Sequence, residues 1–112
     1  MLKRAALAIA VVGSMLMPYV ASANETGLAG MHAWRKVGKK TCFVDHYHDG
    51  AGQGISRKKA EAEAINSWVS FTALEYGSSW ASWALAVNKS IKCDRITSEH
   101  KCNVSAIPCR GR

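Results

Sequence analysis

The stretch HYHDGAGQGISRKK, His46 to Lys59, joins the two halves of this chain and decides how it folds. On composition, Asp49–Gly54 reads as a loop, because Gly-Ala-Gly-Gln-Gly has little side chain to bury. Ser56 then reads as a helix N-cap. From Arg57 to Tyr76 there is neither Gly nor Pro, and Ala60, Ala62 and Ala64 favour helix. Ala64, Ile65, Trp68, Phe71, Thr72 and Tyr76 recur mostly at three- and four-residue steps, which gives one broad apolar face. Gly77 stands where a positive-φ residue commonly ends a helix. The sequence therefore predicts a helix over 57–76, about 30 Å long at 1.5 Å per residue.

The same stretch carries the candidate chemistry. On a continuous strand His46 and His48 would point to one face, where neutral imidazoles can take a transition metal. Two donors fall short of the four that a closed site uses, and His32 and His100 are far off in sequence. The second candidate is an anion site. Gly52, Gly54 and Ser56 could offer backbone N–H groups, with Arg57, Lys58 and Lys59 adding charge at the positive end of the helix. Those three cations oppose the helix dipole, and a bound anion would relieve the repulsion. The spacing matches neither a P-loop nor a dinucleotide fingerprint.

Working outward, Lys3 and Arg4 precede an apolar run from Ala5 to Met17, and Ala21-Ser22-Ala23 follows. That is the pattern of a secretory signal peptide over residues 1–23. The apolar run is shorter than the ~20 residues of a spanning helix, and no later segment could span a bilayer. The expected product is an exported protein, periplasmic or extracellular. Residues 24–30 read as a flexible N-terminus, and 31–112 as one small domain. Fifteen cations against eight acids give a net charge of +7, and the leader takes two of the cations and no acid, which leaves +5. A basic exported chain suits anionic partners such as an envelope component or an acidic polymer.

Four cysteines, Cys42, Cys93, Cys102 and Cys109, read as a disulfide framework in such a chain. Thr41–Tyr47 is rich in strand formers, with a further extended piece around Ala33–Val37. Leu85, Val87, Ile91 and Cys93 alternate as on a half-buried strand, and Lys101–Cys109 forms the last one. A hairpin centred on Thr97-Ser98 would face Cys93 towards Cys102, and a right-handed crossover would bring Cys42 to Cys109. Of the three pairings that four cysteines allow, Cys93–Cys102 with Cys42–Cys109 is the preferred one. The expected fold is α+β in the order β-α-β-β, a three-stranded sheet packed against one long helix and stapled by disulfides. Trp68 belongs to the core, while Trp80 and Trp83, near a turn, are candidates for a partner-binding rim.

The run from Ser56 to Cys109, with its basic alanine-rich helix, Tyr-Gly stop, Trp-rich turn and C…C…PC tail, resembles short exported alphaproteobacterial proteins of unknown function. The element order is also similar to dodecin and to small periplasmic stress-response proteins. The first resemblance implies a periplasmic or secreted bacterial protein, and neither brings an activity to this chain. No G-x-S-x-G or H-E-x-x-H occurs, and oxidised cysteines leave no thiol nucleophile. The sequence therefore predicts a non-catalytic binding protein without a cofactor. The alternatives are a metal-binding protein through His46 and His48, and a protein-partner or inhibitor module using Trp80 and Trp83.

Overall fold

A computed structural model describes residues 24–111. The expected signal peptide, 1–23, lies outside the described residues. The elements run α1 Gly27–Gly30, β1 Trp34–Val37, β2 Lys40–Phe43, β3 His48–Gly54, α2 Arg57–Tyr76, a 3-10 turn Ser78–Trp80, β4 Val87–Ile96, β5 Glu99–Ile107 and β6 Cys109–Gly111. The class is α+β with one main helix, but the strands form two sheets of three, ordered β1-β2-β6 and β3-β5-β4. The single sheet of the β-α-β-β expectation is thus replaced.

The largest correction concerns Asp49–Gly54, which is strand and not loop. Glycines at alternate positions keep the two-residue period of a strand and therefore share one face. That face receives α2. A Cβ at Gly50 would lie 2.3 Å from the Ala64 carbonyl oxygen, and one at Gly52 would lie 2.3 Å from the Ala64 nitrogen. Glycine here permits backbone-to-backbone contact between helix and strand. Ala60 and Ala64, fully buried, keep the helix side equally thin. Trp68 then fills the space beyond them, and its Nε1 donates to the Ala106 carbonyl at 3.4 Å.

The helix itself has the bounds the sequence predicts. Ser56 caps it, its hydroxyl accepting from the Lys59 N–H at 3.2 Å. Gly77, with φ 102, closes it and donates to the Ala73 carbonyl at 2.9 Å. The strand expected through Tyr47 stops at Phe43, because the chain bends at Asp45, whose φ is 49. The segment 24–30, expected to be loose, is tied down. The Thr26 N–H donates to the Tyr76 carbonyl at 2.9 Å, and Ala29 is fully buried.

Two disulfides join Cys42 to Cys109 and Cys93 to Cys102. Each links residues directly opposite on paired strands, β2 with β6 and β4 with β5. Two disulfides in so small a domain fit an oxidising compartment. Pro108 separates β5 from β6, so one extended segment serves both sheets, with Ile107 paired to Val87 and Cys109 to Cys42. One core lies between α2 and the β3-β5-β4 sheet, around Trp68, Cys102 and Val104. The other gathers Phe43, Tyr76, Trp80 and Ile107 beside the smaller sheet. Among the described residues no helix is long and apolar enough to cross a membrane.

Candidate functional site

Two places collect the chemistry-bearing side chains. The first is the N-terminal pole of α2. Arg57, Lys58 and Lys59 are exposed there, and no acidic residue occupies the first turn. Arg57 is tied by its Nε to Glu61 Oε1 at 3.0 Å, an i,i+4 pair. Lys58 and Lys59 have no ion pair among the described residues. The β4–β5 register extends this pole. Past the Cys93–Cys102 row, Gly54, His100 and Arg95 stand side by side across the three strands. Gly54 faces Lys59, so His100 and Arg95 share the helix-facing side with the helix start.

Gly52 and Gly54 do not form the anion cradle expected of them. Both pair with β5 and lie under the helix, where Gly54 is within Cβ contact of Lys59 and Ala60. The N–H of Lys59 is taken by the Ser56 hydroxyl and that of Ala60 by the Ser56 carbonyl at 3.0 Å. The pole is thus a cluster of cationic side chains on a capped helix end. Its charge comes from Arg57, Lys58, Lys59 and Arg95, not from a glycine nest.

The second place is the C-terminal end of α2. His46 lies in the bend before β3 and His48 opens β3, so they do not share one strand. Both rings nevertheless meet the buried Tyr76, with centroids 5.8 and 5.0 Å from its ring. His32 joins them, 4.4 Å from His46 and 5.2 Å from Tyr76. His46 Nε2 is 2.6 Å from the Tyr76 hydroxyl, and His48 Nε2 is 2.9 Å from Glu75 Oε2. Burial, and then the Glu75 carboxylate, push the Tyr76 hydroxyl up to about 12. It therefore stays protonated beside the His46 ring. Burial first, then His32 and His48, lower the His46 pKa, against a smaller opposing effect of Glu75.

One ring nitrogen of each of the three histidines is engaged within the cluster. Those of His46 and His48 are the Nε2 atoms, and His32 Nδ1 lies 2.9 Å from the Leu28 carbonyl. Among the described residues no group of three or more His, Cys, Asp or Glu is placed to hold a metal ion. His100 lies at the opposite pole.

The proposed tryptophan rim does not form. Trp80 is fully buried, stacked on Phe43 at 4.2 Å with an interplanar angle of 6°. Arg110 covers its outer side, 5.4 Å from the ring. Trp83 is half-buried, edge-on to Trp68 at 5.2 Å and with Lys89 5.6 Å from its ring. A turn in the sequence was a poor guide to exposure, because the smaller sheet and α1 close over it.

His32, Glu75 and Tyr76 were missed as site neighbours, and no local spacing points to them. Arg95 and His100 had a usable signal, since each lies two residues from a cysteine of the expected Cys93–Cys102 pair. No family model, curated protein or solved structure matches this chain.

Proposed function

We propose that this chain is an exported, non-catalytic basic protein that binds an anionic envelope component or polymer at the N-terminal pole of α2. One observation carries the reading: Arg57, Lys58 and Lys59 stand exposed at a positive helix end with no acid in the first turn. Each such cation opposes the dipole by roughly 0.3–1 kcal/mol, so this arrangement lowers stability unless an anion is present. Arg95, beside His100 in the adjoining row, extends the positive surface along the sheet. Phosphate, sulfate or carboxylate groups repeated along a polymer match several separated cations better than one small ion does. The net charge of +5 in residues 24–112 favours the same partners, and the two disulfides support a periplasmic or extracellular setting.

The test is the double variant Lys58→Glu/Lys59→Glu of the oxidised protein against heparin. The wild type should bind with an affinity that falls steeply as salt rises, and the variant should lose most of that binding while melting no lower. Unchanged heparin binding in the variant would refute the reading. A second reading, metal held through His46 and His48, is favoured by the approach of His32 to His46. It would use the ring nitrogens of His46 and His48 that do not face Tyr76 and Glu75, or displace those two contacts. Zinc titration with His46→Gln as control separates it from the first.

A further inference from the structure

We infer that the free edge of β3 is a pairing surface for a second copy of this chain. In the order β3-β5-β4, both β3 and β4 are edge strands. An unpaired edge offers a row of N–H and C=O groups to another strand, and proteins commonly blunt such edges with charge, proline or a bulge. β4 is blunted. It carries Lys89, Lys92 and Arg95, and its register shifts between Val87 and Ser90, where Asn88 has φ 53. β1 has only four residues, Arg35 and Lys36 among them. β3 is blunted far less, by the single charge of Asp49. It runs seven residues as HDGAGQG in unbroken register, with no proline and no lysine. Among the described residues no backbone hydrogen bond from outside its sheet reaches it. A concavity of about 470 Å3 runs from Lys92 and Asn103 on the open sheet face, past Ala51, to Ser67 and Phe71 of α2.

The side-chain pattern specifies the occupant. Two β3 strands pairing antiparallel about Ala51 would set Ala51 against its own copy, Gly50 against Gly52, Asp49 against Gln53 and His48 against Gly54. No like charges face each other in that register. The flank of α2 above this edge follows the same rule. It presents Lys59, Glu63, Ser67, Phe71 and Glu75 at four-residue steps. Lys59 and Glu63 lie over Gly54 and Gly52, Ser67 and Phe71 line the concavity, and Glu75 bonds His48. α2 runs back over β3, so a two-fold axis at Ala51 brings the Phe71–Glu75 end of one flank towards the Lys59–Glu63 end of the other. Lysine then meets glutamate, and Phe71, 58% exposed, gains a cationic and aliphatic neighbour. An unrelated extended peptide would need only the backbone edge. Complementarity of both strand and flank with themselves is the mark of an isologous contact.

The experiment measures the mass of the oxidised, exported protein in solution, by light scattering across a concentration series. The expected result is twice the monomer mass. Ala51 is exposed, so Ala51→Lys and Ala51→Glu should each keep the wild-type circular dichroism and run as monomers. Mixed in equal amounts, they should regain the doubled mass, because lysine then faces glutamate across the axis. A wild type that stays monomeric at every concentration would overturn the inference. So would a dimer that survives both substitutions, a mixture that fails to recombine, or a monomer that instead captures an extended peptide at this edge.

Discussion

Gly52→Ala should damage this protein far more than a glycine-to-alanine change normally does. The added Cβ would sit 2.3 Å from the Ala64 nitrogen and 2.6 Å from the Ala60 carbonyl oxygen. Ordinary contact lies at about 3.5–4 Å, so the helix must lift by roughly 1 Å or the strand must bend. Both obstacles are backbone atoms of α2, and neither can turn aside as a side chain could. Lifting α2 also loosens Trp68, which packs on Gly50 and bonds the Ala106 carbonyl. Overpacking of this kind costs about 1–3 kcal/mol, and rigid neighbours place it near the upper end. Removing a glycine from the unfolded chain returns about 0.4–1 kcal/mol. The net expectation is a loss of about 2 kcal/mol, or roughly 10 °C in melting temperature for a domain of this size. The assay is thermal and urea denaturation of the oxidised protein, with Gly30→Ala as control, since a Cβ at Gly30 meets nothing within 4 Å. If Gly52→Ala melted with the control, the glycines would not be there for helix approach, and the account of β3 would fail.

Other expectations can be checked on the same preparation. Lys58→Glu/Lys59→Glu should raise stability by about 1 kcal/mol at low salt, with the gain shrinking as salt rises. Calorimetry at two ionic strengths reads both effects. His46 has its pKa lowered from 6.5, so the unfolded chain binds the proton more readily. Its contribution is complete above about 6.5 and is lost as pH falls towards the depressed folded value. Melting temperature should therefore drop on acidification below that point, and His46→Gln should flatten the slope. At the alkaline end Tyr76 contributes stability that is complete below 10.0 and lost as pH rises through about 12. The two disulfides should differ in weight, because they close loops of sequence separation 67 and 9. On chain entropy, losing Cys42–Cys109 should cost about 4 kcal/mol and losing Cys93–Cys102 about 3. Paired Cys→Ser variants measured by urea denaturation give that order directly.

The helix was legible because its signals are local: the Ser56 cap, the alanines, the apolar stripe and Gly77. Cys93–Cys102 was legible because a short hairpin fixes its own register. Cys42–Cys109 was reached by a mistaken route, a crossover within one sheet, whereas Pro108 carries the chain from one sheet to the other. β3 was misread because glycine composition speaks for loops when each residue is taken alone. Its period of two, set against Ala60 and Ala64 four residues apart, held the information that a thin strand meets a thin helix. The cationic run at 57–59 needed no tertiary knowledge, but its neighbours Arg95 and His100 did. The meeting of His32, His46, His48 and Glu75 around Tyr76 depends on bends at 44–47 and on the docking of residues 24–32. No repeat or spacing in the sequence encodes that meeting.

The measurement closest to the central claim is an amide chemical-shift map of the oxidised protein titrated with heparin, at low and at high salt. The account predicts salt-sensitive shifts at Arg57, Lys58 and Lys59 that spread to Arg95 and His100 across the adjoining row. Shifts confined to His32, His46 and His48, or a spectrum unmoved at low salt, would contradict it.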